Sequence, residues 1–217
     1  MTHDRAAALA QIASEVRACT ACRLHQGRTN TVPGAGDANA EIMFIGEGPG
    51  FYEDKQGLPF VGRSGDLLVK MLALIGLKRE QVFIANVVKC RPPDNRDPLP
   101  DEMLACKSYL DRQIEAIDPL LIVTLGRFSM ARYFPNGKIT QIHGQPKYDE
   151  RRAYMPIFHP AAVLRNETML PQLEADFRRV PQILAQVKAQ RAAKTAAPET
   201  PAPTPPPEEP PKQLKLF

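Results

Sequence analysis

Three places in the sequence carry side chains able to act on a ligand: the turn Gly46-Glu47-Gly48-Pro49-Gly50, the amide Asn86, and His159 followed by Pro160. They supply a carboxylate, a carboxamide and an imidazole. Such groups hold a water or a proton, read a polar edge, and donate to a developing charge. Taken singly, each has an ordinary role: Glu47 as a solvated loop acid, Asn86 as a strand-end residue bonding its own backbone, His159 as a structural imidazole. What favours a site is that each follows or ends a strand-like run. In open α/β sheets the ligand crevice lies beyond the carboxyl ends of the strands.

The glycine-rich turn lacks the Lys and Ser or Thr of a phosphate-binding loop and the spacing of the dinucleotide fingerprint, which argues against a nucleoside-triphosphate enzyme. Arg63 and Ser64 open a helical stretch. The free amides and positive dipole end there suit an anion such as a DNA phosphate, or simply cap the helix. Cys19 and Cys22 have two residues between them, and Cys90 and Cys106 have fifteen. In a reducing compartment four such residues are more often ligands or buried thiols than disulfide partners. Four thiolates suit either a zinc ion or a [4Fe–4S] cluster, and the spacing does not choose between them.

The elements that must position these groups follow from the hydrophobic pattern. Strand-like runs at 41–45, 82–88, 120–125 and 153–158 alternate with helical stretches. One of these starts near Ser64, buries Leu67, Leu68, Met71, Leu72 and Ile75, and closes at Gly76; others cover 101–117, 126–134 and 168–187. A polar, alanine-rich helix at 4–18 precedes them. This alternation predicts an α/β protein with a mostly parallel four-stranded sheet covered on both faces.

A chain of 217 residues that is 43% hydrophobic can bury one sizeable core, so one domain is expected over 1–188. Beyond it, 189–212 reads as a disordered linker rich in proline and alanine. The net charge of +4 leans weakly toward a polyanionic partner. Asp4, Arg5, Glu15 and Arg17 interrupt any apolar run near the start, so neither a signal peptide nor a membrane span is expected, and the expected location is cytoplasmic.

From about residue 18 to 165 the chain resembles the family 4 uracil-DNA glycosylases, the iron–sulfur branch of the uracil glycosylase superfamily. The resemblance rests on the paired cysteines, Gly46 to Gly50, Glu53 and Asp54, Gly57, and Pro59-Phe60-Val61-Gly62-Arg63. It continues through Asn86, Cys90-Arg91-Pro92-Pro93, Asn95-Arg96 and His159-Pro160-Ala161-Ala162. It implies a three-layer α/β/α sandwich and a [4Fe–4S] cluster on Cys19, Cys22, Cys90 and Cys106 that orders loops beside the DNA. It also implies that Phe60 stacks on a flipped uracil, Asn86 reads its Watson–Crick edge, His159 faces O2, and Glu53 crowds a thymine methyl. An aromatic platform and a carboxamide are what a flipped uracil requires. Gly46, Gly48, Pro49 and Gly50 would shape the pocket, with Glu47 placing the attacking water.

Other branches carry an aspartate after the first strand where this chain has Gly48, so the water activator stays open. A branch that bonds covalently to DNA uses a histidine in a basic loop. Residues 91–99 contain none, which favours turnover. Ala161 to Arg165 resembles the loop that enters the duplex, with Val163 or Leu164 as apolar wedge and Arg165 on a phosphate; alternatively, Val163 and Leu164 begin the packing of the last helix. Gln213, Leu214, Leu216 and Phe217 resemble the peptides by which repair proteins dock on the DNA polymerase sliding clamp, with Lys215 where serine or aspartate is common. The expected protein is thus a monomeric, nucleoid-associated enzyme acting on uracil-containing DNA. The rival readings are a glycosylase for another deaminated base and a non-catalytic DNA-binding protein with a structural metal.

Overall fold

The structure, a computed structural model, describes residues 4–196. In chain order the helices are α1 (Arg5–Ala18), α2 (Phe51–Gln56), α3 (Arg63–Leu74), α4 (Pro100–Ile117), α5 (Arg127–Ala131), α6 (Ile139–Ile142), α7 (Pro160–Arg165) and α8 (Leu170–Ala196). The strands are β1 (Ala35–Gly36), β2 (Ile42–Gly46), β3 (Phe83–Asn86), β4 (Leu121–Leu125), β5 (Lys147–Tyr148) and β6 (Ala153–Ile157). They form one sheet in the order β1-β3-β2-β4-β6-β5.

The four strands expected from the sequence are the parallel centre of this sheet, β3-β2-β4-β6. The count of four is corrected to six by two antiparallel edge strands of two residues each, β1 on β3 and β5 on β6. Two residues are too few to show an alternating pattern. β1 also depends on a glycine. Gly36 has a φ of +134°, and a Cβ there would run into the Val82 carbonyl.

Alternation along β2 divides the core. Ile42 and Phe44 face Leu68, Leu72 and Phe177 of α3 and α8, while Met43 and Ile45 face Leu110 and Ile117 of α4. Both faces of the central strands are buried, as a parallel sheet between two helix layers requires. Chain order then leaves the carboxyl ends of β2, β3 and β6 on one edge, with Gly46 paired to Asn86 in register. That edge carries the three chemical stretches.

Two boundaries differ from expectation. The helix near Ser64 begins at Arg63 with Gly62 as its cap. The final helix does not stop at 187 but runs through Ala196, so residues 189–196, expected to belong to a linker, are helical instead. Alanine-rich sequence favours the extension, and tertiary bonds hold it: Arg191 donates to the Arg151 carbonyl (2.6 Å) and pairs with Asp118 (3.5 Å). The clamp-like residues Gln213, Leu214, Leu216 and Phe217 lie outside the described residues. Among the described residues no helix is long and apolar enough to cross a membrane.

Candidate active site and four-cysteine site

A cavity of about 360 Å³ opens at the carboxyl ends of β2 and β3. Its walls include Glu47, Gly48, Pro49, Gly50, Glu53, Phe60, Ser64, Asn86, His159 and Arg165, so most of the site expected from the sequence comes together there. Past β2 the pairing continues for two residues, because Val87 and Val88 donate to the carbonyls of Gly46 and Glu47. This carries Glu47 alongside the end of β3.

Asn86 is 1% exposed, and its Oδ1 has no hydrogen-bond partner among the described residues. A buried carboxamide oxygen without a protein partner is costly, so this atom is able to accept from a donor in the cavity. Gly46 makes room for this group: a Cβ there would strike Asn86 Oδ1 and lie 2.8 Å from the Phe60 ring. Phe60 has a φ of +51°, unfavourable for a side chain of its size. Arg79 stabilises that conformation by donating to the carbonyls of Phe60 (2.8 Å) and Pro59, and Gly65 has no side chain to obstruct it. The Phe60 and His159 rings stand 5.6 Å apart at 29°.

His159 caps α7, and its Nδ1 accepts from the Ala161 amide at 3.1 Å. Nδ1 is therefore the unprotonated nitrogen, and the proton of the neutral ring sits on Nε2. Burial, helped by the nearby Arg165, pulls the imidazole pKa down to about 4. At neutral pH the ring is thus an uncharged Nε2–H donor. Burial pushes the Glu47 carboxyl above its usual range, and Asp97 adds to this while Arg127 and Arg165 oppose it.

Glu53 is buried, with Oε2 accepting from the Gly50 amide (3.1 Å) and Oε1 from the Val61 (3.0 Å) and Gly62 (3.1 Å) amides. Its carboxylate therefore fastens the glycine turn to the Phe60 loop. Arg63 is exposed at the start of α3, outside the cavity wall. Val163 is corrected from wedge to core: it is 2% exposed and packed among the apolar residues under α3. Leu164, half-buried beside it, is the member of the pair nearer solvent.

Cys19, Cys22, Cys90 and Cys106 line one small cavity on the opposite face of the sheet, between α1 and α4. None of the four is joined in a disulfide. Burial raises the pKa of Cys90, and that of Cys106 to about 11. Arg28 donates to Cys90 Sγ (3.2 Å) and the Lys89 amide to Cys106 Sγ (3.3 Å). Among the described residues no three His, Cys, Asp or Glu side chains are grouped as ligands for a metal ion.

One residue connects the two sites, and sequence reasoning missed it. Lys89 is 1% exposed, and its Nζ donates to the Asn86 carbonyl (3.0 Å) and to Gln113 Oε1 (2.7 Å). A lysine set between Val88 and Cys90 in an apolar run was the available signal.

The fold is an α/β/α sandwich whose parallel strands end on a pocket with an aromatic wall, an amide and a neutral imidazole. The model of the uracil DNA glycosylase superfamily matches residues 33–185, and the chain belongs to that superfamily. It is 50% identical to a type-4 uracil-DNA glycosylase of Sulfurisphaera tokodaii, over 81% of this chain and 84% of that protein. Identity is 48% to that of Saccharolobus solfataricus (80% and 85% covered) and 49% to that of Thermotoga maritima (74% and 85%). Within the superfamily it is thus a member of the type-4 branch.

Proposed function

We propose that the chain is a uracil-DNA glycosylase: it takes uracil out of DNA into the pocket and hydrolyses the N-glycosidic bond, leaving an abasic site for base excision repair. The observation that carries this is the orphaned Asn86 amide beside the Phe60 ring. Uracil presents an N3–H for Asn86 Oδ1 and an O4 that accepts from the amide nitrogen, while Phe60 covers a face of the base. Cytosine reverses this pattern. Glu53 walls the pocket where a thymine methyl would lie.

Cleavage leaves positive charge on the sugar and negative charge on the departing base. His159 Nε2–H donates to uracil O2, a bond that strengthens as this charge grows. Being neutral already, the ring needs no proton from solvent. Glu47 orients the water. At position 48 a Cβ would sit 2.7 Å from Val88 Cγ2, which obstructs a carboxylate there; of the three acids lining the cavity, Glu53 is held by backbone amides and Asp97 by Arg127, which favours Glu47. Ser64 and Arg63 at the α3 N-terminus, together with Arg165, hold phosphates, and Leu164 fills the space the base vacates.

The four thiols suit a [4Fe–4S] cluster, and the donor set is chemically apt: four sulfurs, with the cations Arg28 and Lys89 beside them to offset the cluster's negative charge. When bound, the cluster supplies cross-linking of the loops rather than a step of hydrolysis. The 1–188 domain with the extension of α8, a proline-rich tether and a clamp-docking peptide at 213–217 complete the reading; deleting 213–217 should abolish clamp binding and leave excision of a short oligonucleotide unchanged.

The test of the activity is incubation with an end-labelled oligonucleotide containing one uracil, followed by alkali. Strand scission at uracil, and none at thymine or cytosine, is expected. An intact strand would overturn the reading.

A further inference from the structure

Next to the base pocket lies a surface that the pocket's own chemistry leaves unused. Phe51 and Tyr52 follow Gly50, whose backbone lines the pocket, and they are 47% and 57% exposed. Their rings meet edge to face, with centroids 5.4 Å apart at 85°. Lone exposed aromatics are ordinary, but an adjacent pair at the mouth of a binding site leaves apolar area that a ligand can cover.

The pair is rigid relative to the pocket. The Glu53 carboxylate, one residue further on, bonds the Gly50 amide and the two amides of the Phe60 loop. A Cβ at Gly62 would stand 3.2 Å from Tyr52 Cδ2, so the ring rests on that loop. The surroundings are cationic. The Arg91 guanidinium and Lys55 Nζ lie over the Phe51 ring, 5.2 and 5.8 Å from its centroid, so the more exposed Tyr52 ring offers the freer stacking surface and Phe51 backs it.

Arg91 also lines a groove of about 520 Å³ that shares Pro92 and Arg96 with the base cavity. Two other arginines of the groove are neutralised, Arg23 by Asp101 (2.8 Å) and Arg96 by Glu102 (2.6 Å). Arg91 instead donates to the neutral Asn95 Oδ1 (2.8 Å) and has no carboxylate partner among the described residues. Aromatic faces beside an uncompensated cation, continuous with a pocket for one base, match what binds single-stranded nucleic acid without sequence preference.

We infer that Phe51 and Tyr52 form a stacking platform for an unpaired base next to the flipped uracil, with Arg91 and Lys55 holding the adjoining phosphates. The inference rests on the glycosylase reading and adds to it a contact with the base beside the uracil.

The experiment uses the full chain and two single-stranded oligonucleotides of one sequence. In one the uracil has natural neighbours; in the other both neighbours are tetrahydrofuran abasic nucleotides. Binding is read by fluorescence anisotropy and excision by alkaline cleavage. For the wild-type chain, removing the neighbouring bases should raise Kd and KM about tenfold, the scale of one lost base–aromatic stack. A chain with both Phe51→Ala and Tyr52→Ala should show that penalty on the natural strand and no further penalty on the abasic-flanked one. Tyr52→Trp combined with Phe51→Ala should recover affinity on the natural strand only.

Equal penalties of the double variant on both strands would overturn the platform and point to a protein-docking or purely structural role for the two rings. A wild-type chain indifferent to neighbouring bases would overturn it without recourse to any variant. A wild-type chain that shows the base-dependent binding yet leaves uracil uncut would retain the platform and overturn the glycosylase reading instead.

Discussion

At the base pocket the reactive side chains are aimed by neighbours close to them in sequence. His159 is oriented by the Ala161 amide, Phe60 is framed by Gly65, and Glu53 closes the turn three residues before it. At the cysteine site the side chains meet from stretches far apart, and among the described residues only Arg28, the Tyr109 side chain and two backbone amides bond the sulfurs. The pocket is a preorganised constellation whose rigidity comes mainly from such local geometry, with Arg79 adding a longer-range hold on Phe60. The cysteine site is a set of donors that joins α1, the end of β3 and α4, and its order depends on what links the sulfurs. Damage at the first should therefore appear in catalysis, and damage at the second in folding stability.

The largest effect is expected at the imidazole. His159→Ala should lower single-turnover excision by about 10²–10³-fold, the usual cost of one preorganised donor to a developing anion, while DNA affinity stays near that of the wild type. An unchanged rate would remove His159 from the mechanism and break the contrast at its first point.

Next in size is Glu47→Gln, with a loss of about 10²-fold at neutral pH. The pH profile sharpens the assignment. Since His159 is held near 4, it remains neutral throughout the weakly acidic range. Burial raises the Glu47 carboxyl, so the base form is lost as pH falls through that raised value, and activity falls with it. Excision should thus rise with pH along an acid limb, and the limb should vanish in Glu47→Gln. An acid limb of the same position in both proteins would assign it to another group.

For the cysteine site, Cys106→Ala should abolish visible absorption and bound iron and lower Tm by several degrees, with the residual folded fraction still cutting uracil. Iron and sulfide at about four of each per wild-type chain would agree with the cluster. A colourless protein with one zinc per chain would replace the cluster with an ion and leave the pocket untouched.

Much of this contrast was legible in the sequence, for a physical reason. Strand ends, glycines and side-chain types are local, so the sequence alone places Gly46 to Gly50, Asn86 and His159 at strand ends on one edge. The pairing of Gly46 with Asn86 bears that edge out. What escaped depends on tertiary contact. The edge strands β1 and β5 are too short to show a period. Residues 161–165 resemble a loop, yet the fold makes them part of α7 and buries Val163. The extension of α8 rests on Arg191 reaching Arg151 and Asp118. Lys89 carries no motif, and only the structure shows its ammonium on the Asn86 carbonyl and on Gln113.

The central claim is that the unpartnered amide of Asn86 reads the base. Its most direct test is the excision rate of Asn86→Asp on otherwise identical strands carrying uracil or cytosine. Replacing donor and acceptor by an acceptor-only carboxylate removes the partner of O4, so the variant should lose about 10²-fold or more of its uracil activity and most of its preference for uracil over cytosine. Full uracil activity with undiminished selectivity in Asn86→Asp would contradict the account.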